Sequence, residues 1–466
     1  MTLIIVSILL VGLFLIATEN LTNINKTAVA IFIGTLGWML YISNGSDFVM
    51  SQHSDEYLSF LGDNASSGNM VKQFIAQNIF LKYVGRASEI VLFLLATMTI
   101  VEILQSNGCF DFISQLLRTR NSRKMLWILS VVTFVISANL DNITTTVMML
   151  IMMHNVVKSR RQRMLLGCAI VLSANCGGAL TVIGDPTGLV LWNNGAVTAT
   201  NFSLTLALPC LVAWALPVWW IGRALPERLD TEWITMPYRG DDTNLNIWQR
   251  LLMLFVGIGG LWFIPTFHNI TKLSPFIGAL CVLSVLWIVH EIMNRKLLNT
   301  SDTVQRRIPR VLQYGVIQMI LYVMGVILAV SVARETGVMQ HLTTFIDNEI
   351  NNVWIVGAIS GTISVVLENF ATAVNMISIS DMETIAQSGN IEGLSVYGQN
   401  GMYWKIIAYT SAVAGNILCI GSVSGVALMK MERLHVGWYF RNAGLMALVG
   451  AVAGYALLWF LMEICI

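Results

Sequence analysis

Three acidic side chains lie inside apolar stretches of the sequence, where a charge is costly to bury. Asp141 occurs in "SANLDNITTT", Asp185 in "ANCGGALTVIGDPTG" and Glu368 in "SVVLENFATA". A charge at the centre of a membrane costs about 3 kcal/mol on insertion scales, so acids at such positions mark ion pathways and binding sites. Carboxylate, amide, hydroxyl and carbonyl oxygens are the ligands that hard cations prefer. These acids and their polar neighbours therefore predict a buried site for a small cation such as Na⁺.

Neutral oxygens accompany the acids. Between residues 175 and 188, four glycines and a proline are expected to unwind a helix and free its carbonyls. We predict that ion binding and proton coupling involve Asp141, Asn142, Thr144, Asn175, Asp185, Thr187, Glu368, Asn369, Asn416, Ser422 and Ser424. Within this set, Na⁺ is predicted to contact Asp141, Asn142, Asp185, Glu368 and Asn369. A structural role stays open for Thr187 and Ser422, because hydroxyls in membranes commonly bond to backbone. It also stays open for Asp141, while Glu102 is a candidate proton relay or a paired packing residue.

The composition is that of a polytopic membrane protein. Of 466 residues, 56% are hydrophobic and 11% are charged, whereas charged residues make up about 25% of an average soluble domain. The seven cysteines are scattered without a CxxC pair, so we expect no disulfide, structural metal or resident cofactor. The expected partners are small monovalent cations and the lipid bilayer. A nucleic acid partner and an enzymatic activity are not expected.

Ten apolar windows are long enough to cross about 30 Å of hydrocarbon. They lie at 2–17, 27–42, 88–106, 164–196, 203–222, 248–264, 275–292, 312–333, 404–431 and 438–462. Because no basic residue precedes Lys26, the first window is predicted to be a crossing helix with its N-terminus outside, not a signal peptide. With ten crossings, both termini of the chain are predicted to lie outside the cytoplasmic membrane.

Two further windows, 127–154 and 354–380, carry an acid and several hydroxyls near their midpoints. Four basic residues flank each side of the first window, and the flanks of the second are acidic or neutral. Since basic loops tend to stay in the cytoplasm, each window is predicted to be a re-entrant hairpin, with the two hairpins entering from opposite faces. All 27 Lys and Arg residues then fall outside the membrane core.

The sequence also contains an internal repeat. Trp127 and Trp354 are 227 positions apart, as are Asp141 and Glu368, and "GDPTG" at 184–188 aligns with "GSVSG" at 421–425. Five crossings and one hairpin in each half make an odd number of crossings, so the second half is predicted to be inverted. The predicted fold is an all-α polytopic membrane protein with helices interrupted at the midplane.

The domain boundaries follow from this repeat. Residues 1–222 form the first inverted repeat, with hairpin 127–154 and interrupted helix 164–196. Residues 223–247 form a charged cytoplasmic linker. Residues 248–466 form the second repeat, with hairpin 354–380 and interrupted helix 404–431.

Several segments resemble the NhaD-type sodium/proton antiporters of the ion transporter superfamily. They are "EIVLFLLATMTIVEIL", "LDNITTTVMML", "LLGCAIVLSANCGGALTVIGDPTGLVLW", "PFIGALCVLSVLWIVHEI" and "IGSVSGVALMKMERLHVGWYFRNAG". The resemblance covers roughly residues 85–200 and 250–460, and it implies exchange of Na⁺, and often Li⁺, for H⁺. It also implies a homodimer whose hairpin domain moves against a dimerising scaffold. The chain departs from the family pattern at Glu368, Phe370 and Ala371, where Asp, Val and Pro are typical, and at Pro186, Gly188 and Asn416.

Two other functions fit parts of the pattern. A di- or tricarboxylate carrier of the same superfamily would need a site that accepts an anion, and the acids in both hairpins oppose this. An intramembrane aspartyl hydrolase would use Asp141 and Asp185 as a pair that shares a proton. That reading gives no reason for the repeated pattern at Glu368 and Ser422. Competition between Na⁺ and protons for one set of carboxylates is therefore the favoured mechanism.

Overall fold

The fold is helical throughout the part of the chain that the computed structural model describes, which comprises residues 1–22, 24–62, 65–231, 245–294, 314–350, 352–379 and 396–464. The main helices are α1 (Thr2–Ala17), α2 (Lys26–Ser43), α3 (Leu81–Ser106), α4 (Ser122–Ser137), α5 (Asn142–Val156), α6 (Arg160–Gly178), α7 (Pro186–Asn193), α8 (Ala199–Ala224), α9 (Ile247–Thr271), α10 (Pro275–Met293), α11 (Tyr314–Glu335), α12 (Val353–Ser364), α13 (Asn369–Ile379), α14 (Met402–Ala414), α15 (Val423–Glu432) and α16 (Val436–Glu463). Short helices lie at Gly45–Gln52, Ser54–Leu61, Gly68–Phe74, Asp111–Leu116 and Val338–Phe345.

Seven helices among the described residues are long and apolar enough to cross a membrane: α2, α3 with the preceding turns from Gly68, α8, α9, α10, α11 and α16. The apolar helix α1 is shorter. The remaining two predicted crossings, 164–196 and 404–431, are each split into two helices, α6 with α7 and α14 with α15. The chain is thus a multi-pass membrane protein, and its ten apolar windows all contain helix.

Each predicted hairpin window contains two helices joined by a short break. In the first window, α4 ends at Ser137 and α5 begins at Asn142. In the second, α12 ends at Ser364 and α13 begins at Asn369. The breaks contain the acids that the sequence singled out.

The two outer ends of the α4–α5 pair lie beside the same short segment, the start of the predicted linker. Ahead of α4, Arg120 accepts a backbone hydrogen bond from Leu229 at 2.9 Å. Beyond α5, Lys158 donates one to Asp230, also at 2.9 Å. The chain therefore enters and leaves this helix pair at one place, beside the end of α8. The rest of the linker, 232–244, lies outside the described residues.

The helices of the two halves pack in corresponding pairs. Helices α2 and α10 are the second predicted crossings of their halves, and α3 and α11 are the third. Helix α2 packs along α11, and α10 packs along α3. In the same way, α4 contacts α6 while α12 contacts α14, and α8 packs against α16. Hydroxyls repeat the correspondence in detail, because Ser137 donates to the carbonyl of Ala174 and Ser364 to that of Ser411, both at 2.6 Å.

The polar segment between α2 and α3, to which the sequence assigned no chemistry, is folded into short helices that share a hydrophobic cluster with α2 and α11. Polar contacts add to this packing. Glu335, at the end of α11, accepts hydrogen bonds from His53 Nε2 at 2.8 Å and from Tyr83 Oη at 2.6 Å. His53 also contacts Glu56 through Nδ1 at 3.1 Å. His53, Glu56, Tyr83 and Glu335 therefore form a clasp that ties this segment to α11.

The clasp is expected to weaken at alkaline pH. The hydrogen bond to Glu335 raises the pKa of His53 above its usual value of 6.5, against an opposing effect of partial burial. A raised pKa in the folded state means that the contribution to stability is complete below pH 6.5 and is lost as the pH rises through the higher value. Hydrogen–deuterium exchange of residues 45–62 should therefore become faster at alkaline pH, beyond the intrinsic change.

His53→Gln is expected to remove this pH dependence. His268→Gln should preserve it, because the His268 ring, near the end of α9, contacts the Leu273 carbonyl and not this clasp. Equal pH dependence of exchange in the wild type and in His53→Gln would contradict the role of this clasp.

Candidate functional site

In the first half, both acids stand immediately before a helix and cap it. Asp141 precedes α5, and its Oδ2 accepts hydrogen bonds from the Thr144 backbone N–H and hydroxyl, both at 3.0 Å. Asp185 precedes α7, and its Oδ1 accepts one from the Thr187 N–H at 2.8 Å. Carboxylates at helix N-termini satisfy N–H groups that have no partner within the helix, and the helix dipole favours their negative charge. The caps explain how the two acids are tolerated in the buried breaks ahead of α5 and α7.

The second half repeats the arrangement with different side chains. Glu368 precedes α13, and its Oε2 accepts a hydrogen bond from the Ala371 N–H at 3.3 Å. Ser422 precedes α15, and its hydroxyl accepts one from the Gly425 N–H at 3.1 Å. The second half thus has a carboxylate at one of its two caps, where the first half has carboxylates at both.

Asp185 is the residue at which the two halves meet. Its Oδ2 accepts hydrogen bonds from the side-chain amides of Asn142, at 2.8 Å, and Asn369, at 3.2 Å. These two asparagines follow the acids of the two hairpin windows and are 227 positions apart. Both hairpin breaks therefore converge on the break between α6 and α7.

A second set of hydrogen bonds joins the two interrupted helices. Asn175, near the end of α6, donates to Asn416 Oδ1 and to the Ser422 hydroxyl, each at 2.9 Å. The Ser424 hydroxyl donates to the carbonyl of Asn142 at 3.4 Å. Ten of the eleven predicted residues are buried, and Thr144 is half-buried. The predicted residues thus lie at the breaks of the two hairpins and the two interrupted helices, and hydrogen bonds join them in two larger groups, one around Asp185 and one around Asn175.

Several oxygens at these breaks have no hydrogen-bond partner. They are Asp141 Oδ1, Asn142 Oδ1, Asn175 Oδ1 and the hydroxyl oxygen of Thr145. Buried acceptors are almost always hydrogen-bonded in proteins, and each one left alone costs about 1–3 kcal/mol. The unpartnered groups here are oxygens on residues that the sequence had assigned to cation binding, except Thr145, whose role the sequence did not predict. Their chemistry fits a hard cation.

No Lys or Arg in the described part of the chain forms a hydrogen bond or ion pair with Asp141, Asp185 or Glu368. The donors that reach these carboxylates are amides, hydroxyls and backbone N–H groups. The fixed charge of the site is therefore negative, which favours a cation over an anion.

Tyr322, on α11, donates its hydroxyl to Glu368 Oε2 at 2.9 Å, and it was not among the predicted site residues. The repeat offset reveals which residues correspond between halves but not which side chain of a neighbouring helix meets them. Glu102 lies half-buried on α3. A role for Glu102 in a proton relay stays a prediction.

Seven helices long and apolar enough to cross a membrane, together with a buried polar site at the breaks between shorter helices, are features expected of a multi-pass membrane transporter. A family model described as "Citrate transporter" matches residues 2–414, and the chain belongs to that family. Among curated proteins, the chain is 31% identical over 380 residues to sodium/proton antiporter 1 of Arabidopsis thaliana, covering 80% of this chain and 62% of that protein. It is 29% identical to sodium/proton antiporter 2 of the same plant, covering 79% and 84%. It is 24% identical to the Na⁺/H⁺ antiporter NhaD of Vibrio parahaemolyticus, covering 74% and 83%.

Proposed function

We propose that this protein exchanges Na⁺ for H⁺ across the cytoplasmic membrane at the cluster centred on Asp185. The observation that carries the proposal is the set of unpartnered buried oxygens on Asp141, Asn142 and Asn175. Oxygens of this kind replace the water around a dehydrated cation, and the carboxylates of Asp141 and Asp185 supply the compensating charge. The names of the relatives, which are sodium/proton antiporters, agree with this chemistry. Li⁺ is a second cargo that the same ligands would accept.

Competition for the carboxylates couples the two ions. A carboxylate that holds Na⁺ does not hold a proton, and a protonated one has lost the charge that Na⁺ requires. If only loaded forms of the site move between the two faces, each Na⁺ carried one way is exchanged for protons carried the other way. The neutral ligands proposed to complete the site are Asn142, Thr144, Asn175, Thr187, Asn369, Asn416, Ser422 and Ser424. Glu368 is proposed as a proton-coupling carboxylate beside them.

We further propose that the two halves, 1–222 and 248–466, are inverted repeats and that the two hairpin windows are re-entrant. The shared position of both ends of the α4–α5 pair beside 229–230 supports re-entry from one face. The exchange of packing partners between corresponding helices supports a two-fold relation between the halves. In this arrangement Asn142 and Asn369, at the two hairpin breaks, reach Asp185 from opposite faces, and both termini lie outside.

A citrate carrier is the second candidate, because the description of the matching family names that substrate. A tricarboxylate would meet the negative charge of Asp141, Asp185 and Glu368 without a paired Lys or Arg to offset it. The cation exchange is therefore favoured by the site itself. The family and the relatives are named as transporters, so they lend no support to an intramembrane hydrolase.

Everted membrane vesicles from a host without its own Na⁺/H⁺ antiporters provide the test. After respiration acidifies the vesicle interior, addition of NaCl is expected to dissipate the pH gradient, and choline chloride at equal concentration is not. A panel with LiCl and KCl, repeated over a range of pH, defines the selectivity. Uptake of labelled citrate without any Na⁺-dependent loss of the gradient would overturn the proposal in favour of the citrate carrier. Vesicles from the host without the protein are the control.

A further inference from the structure

Three consecutive threonines at the start of α5 use their hydroxyls differently. The Thr144 hydroxyl donates to Asp141 Oδ2 at 3.0 Å, and the Thr146 hydroxyl donates to the carbonyl of Asn142 at 2.7 Å. Thr145, between them, is fully buried, and its hydroxyl bonds no residue in the described part of the chain. Of the three hydroxyls, that of Thr145 is therefore the one that helix α5 does not use.

A threonine inside a helix has an acceptor close at hand, since its hydroxyl can bond the carbonyl four residues earlier. The buried Thr133 does this, bonding the carbonyl of Leu129 at 2.6 Å. For Thr145 the same acceptor is in place, because the Asp141 carbonyl accepts the Thr145 backbone N–H at 3.0 Å. The hydroxyl does not bond it, although leaving a buried hydroxyl unbonded is costly. The protein's own contacts give no reason for this arrangement.

Thr145 lies on the side of α5 that carries other unbonded oxygens. It follows Asp141 by four residues and Asn142 by three, and residues at these spacings are neighbours on a helix surface. Because side chains in helices lean towards the N-terminus, Thr145 leans over the turn that these two residues begin. Asp141 Oδ1 and Asn142 Oδ1 have no hydrogen-bond partner either. One turn of helix thus presents three buried oxygens that no described residue bonds.

The corresponding threonine and asparagine of the second half are bonded within the protein. Thr372, which corresponds to Thr145 by the offset of 227, donates its hydroxyl to the carbonyl of Glu368 at 3.2 Å. Asn369, the asparagine of the second hairpin, accepts the Phe370 N–H on its Oδ1 atom at 2.9 Å. The same residue types at corresponding positions therefore leave these two oxygens unbonded only in the first half.

We propose that the hydroxyl oxygen of Thr145 is a further Na⁺ ligand, which holds the ion on the first turn of α5 together with Asp141 and Asn142. The inference rests on the proposed Na⁺/H⁺ exchange and adds a ligand that the sequence pattern did not indicate. A hydroxyl oxygen coordinates a hard cation through its lone pairs. The N-terminal end of a helix repels a cation, and the Asp141 carboxylate at this cap offsets that effect. Thr372, in contrast, holds its own helix and binds no ion.

Thr145→Val removes the hydroxyl and keeps the shape of the side chain, and thermal unfolding in detergent measures the effect without transport. The Na⁺ concentration that gives half of the maximal rise in melting temperature should increase about tenfold, the value of one bond to a charged group. Choline chloride keeps the ionic strength constant, and all samples are held at one alkaline pH. Thr145→Ser retains the hydroxyl and should respond to Na⁺ as wild type does.

The melting temperature without Na⁺ separates a ligand from a structural hydroxyl. Thr145→Val should melt no lower than wild type in choline chloride, because valine replaces a buried hydroxyl that the protein does not bond. In everted vesicles, the Na⁺ concentration for half-maximal loss of the pH gradient should rise by the same factor as in detergent. A Na⁺-free melting temperature below that of wild type would mean that the hydroxyl serves the fold, and it would overturn the inference.

Thr372→Val is the matched control, because it makes the same change at the corresponding position of the second half, where the hydroxyl bonds backbone. Its dependence on Na⁺ should equal that of wild type. The inference fails if Thr145→Val leaves the half-saturating Na⁺ concentration unchanged, or if Thr372→Val shifts it equally. A wild-type protein that Na⁺ does not stabilise in detergent and that shows no exchange in vesicles would instead overturn the proposed function.

Discussion

Asp141→Asn is expected to abolish Na⁺-dependent dissipation of the pH gradient while leaving the fold intact. Asparagine caps helices about as well as aspartate, so α5 should still begin at residue 142. What the variant loses is a unit charge. At 4 Å and an effective dielectric constant of about 20, that charge attracts a monovalent cation by about 4 kcal/mol. Na⁺ affinity should therefore fall by at least about a hundredfold, and a site that binds neither ion at that position cannot couple them.

Asp185→Asn should be as inactive and, in addition, less stable. The Asp185 Oδ2 atom accepts from both Asn142 and Asn369. An amide has a single oxygen, so its nitrogen would face either the two asparagine donors or the Thr187 N–H, and one of these contacts would be lost. Melting temperature in detergent separates the variants, because only Asp185→Asn should lower it.

Glu291→Gln is the matched control for both, since Glu291 is an exposed carboxylate on α10 that accepts from Trp287. Its antiport should equal that of wild type. Full Na⁺-dependent activity in Asp141→Asn, at wild-type amounts of protein in the membrane, would refute the assignment of this acid to Na⁺ binding.

Much of the site could be predicted because polar residues are so costly in apolar sequence that their positions are informative. The repeat then indicated which residues correspond, and Asn142 and Asn369 do meet, at Asp185. Glycine and proline between 175 and 188 indicated the break between α6 and α7. Each of these signals comes either from residues that are close together in the chain or from the single repeat offset of 227 positions.

What the sequence did not reveal depends on contacts between distant helices. Tyr322 lies 46 positions before its partner, in a helix that reads as an ordinary crossing. The short helices between α2 and α3 have little intrinsic stability, and they form because they bury Tyr57 and Phe74 against Trp38 and Tyr41. Neither the period nor the composition of a segment predicts such pairs, because they depend on how helices are placed around one another.

Gly184→Ala is expected to damage the site without changing any ligand. A Cβ at this position would lie 2.6 Å from the Ser137 carbonyl oxygen and 2.9 Å from the Cα and carbonyl oxygen of Gly178. All of these are backbone atoms, so the segment before Asp185 would have to move away from the end of α4. Overpacking of this kind typically costs about 1–3 kcal/mol, and the displacement should also lower Na⁺/H⁺ exchange by more than about tenfold, since misplacing a reacting group by about 1 Å can cost a hundredfold.

Gly85→Ala provides the matched control, because Gly85 lies within α3 and a Cβ there meets no atom within 4 Å. In that open helical position alanine should be neutral or stabilising by up to about 1 kcal/mol.

Gly421→Ala should resemble Gly184→Ala, since its Cβ would lie 2.6 Å from the carbonyl oxygen of Ser364, the counterpart of Ser137. If Gly184→Ala kept the melting temperature and the Na⁺ response of wild type, the close approach of the hairpin to this break would not be needed to position Asp185. A loss in both Gly184→Ala and Gly421→Ala, with Gly85→Ala unaffected, would indicate that the backbone contact between hairpin and interrupted helix matters equally in the two halves.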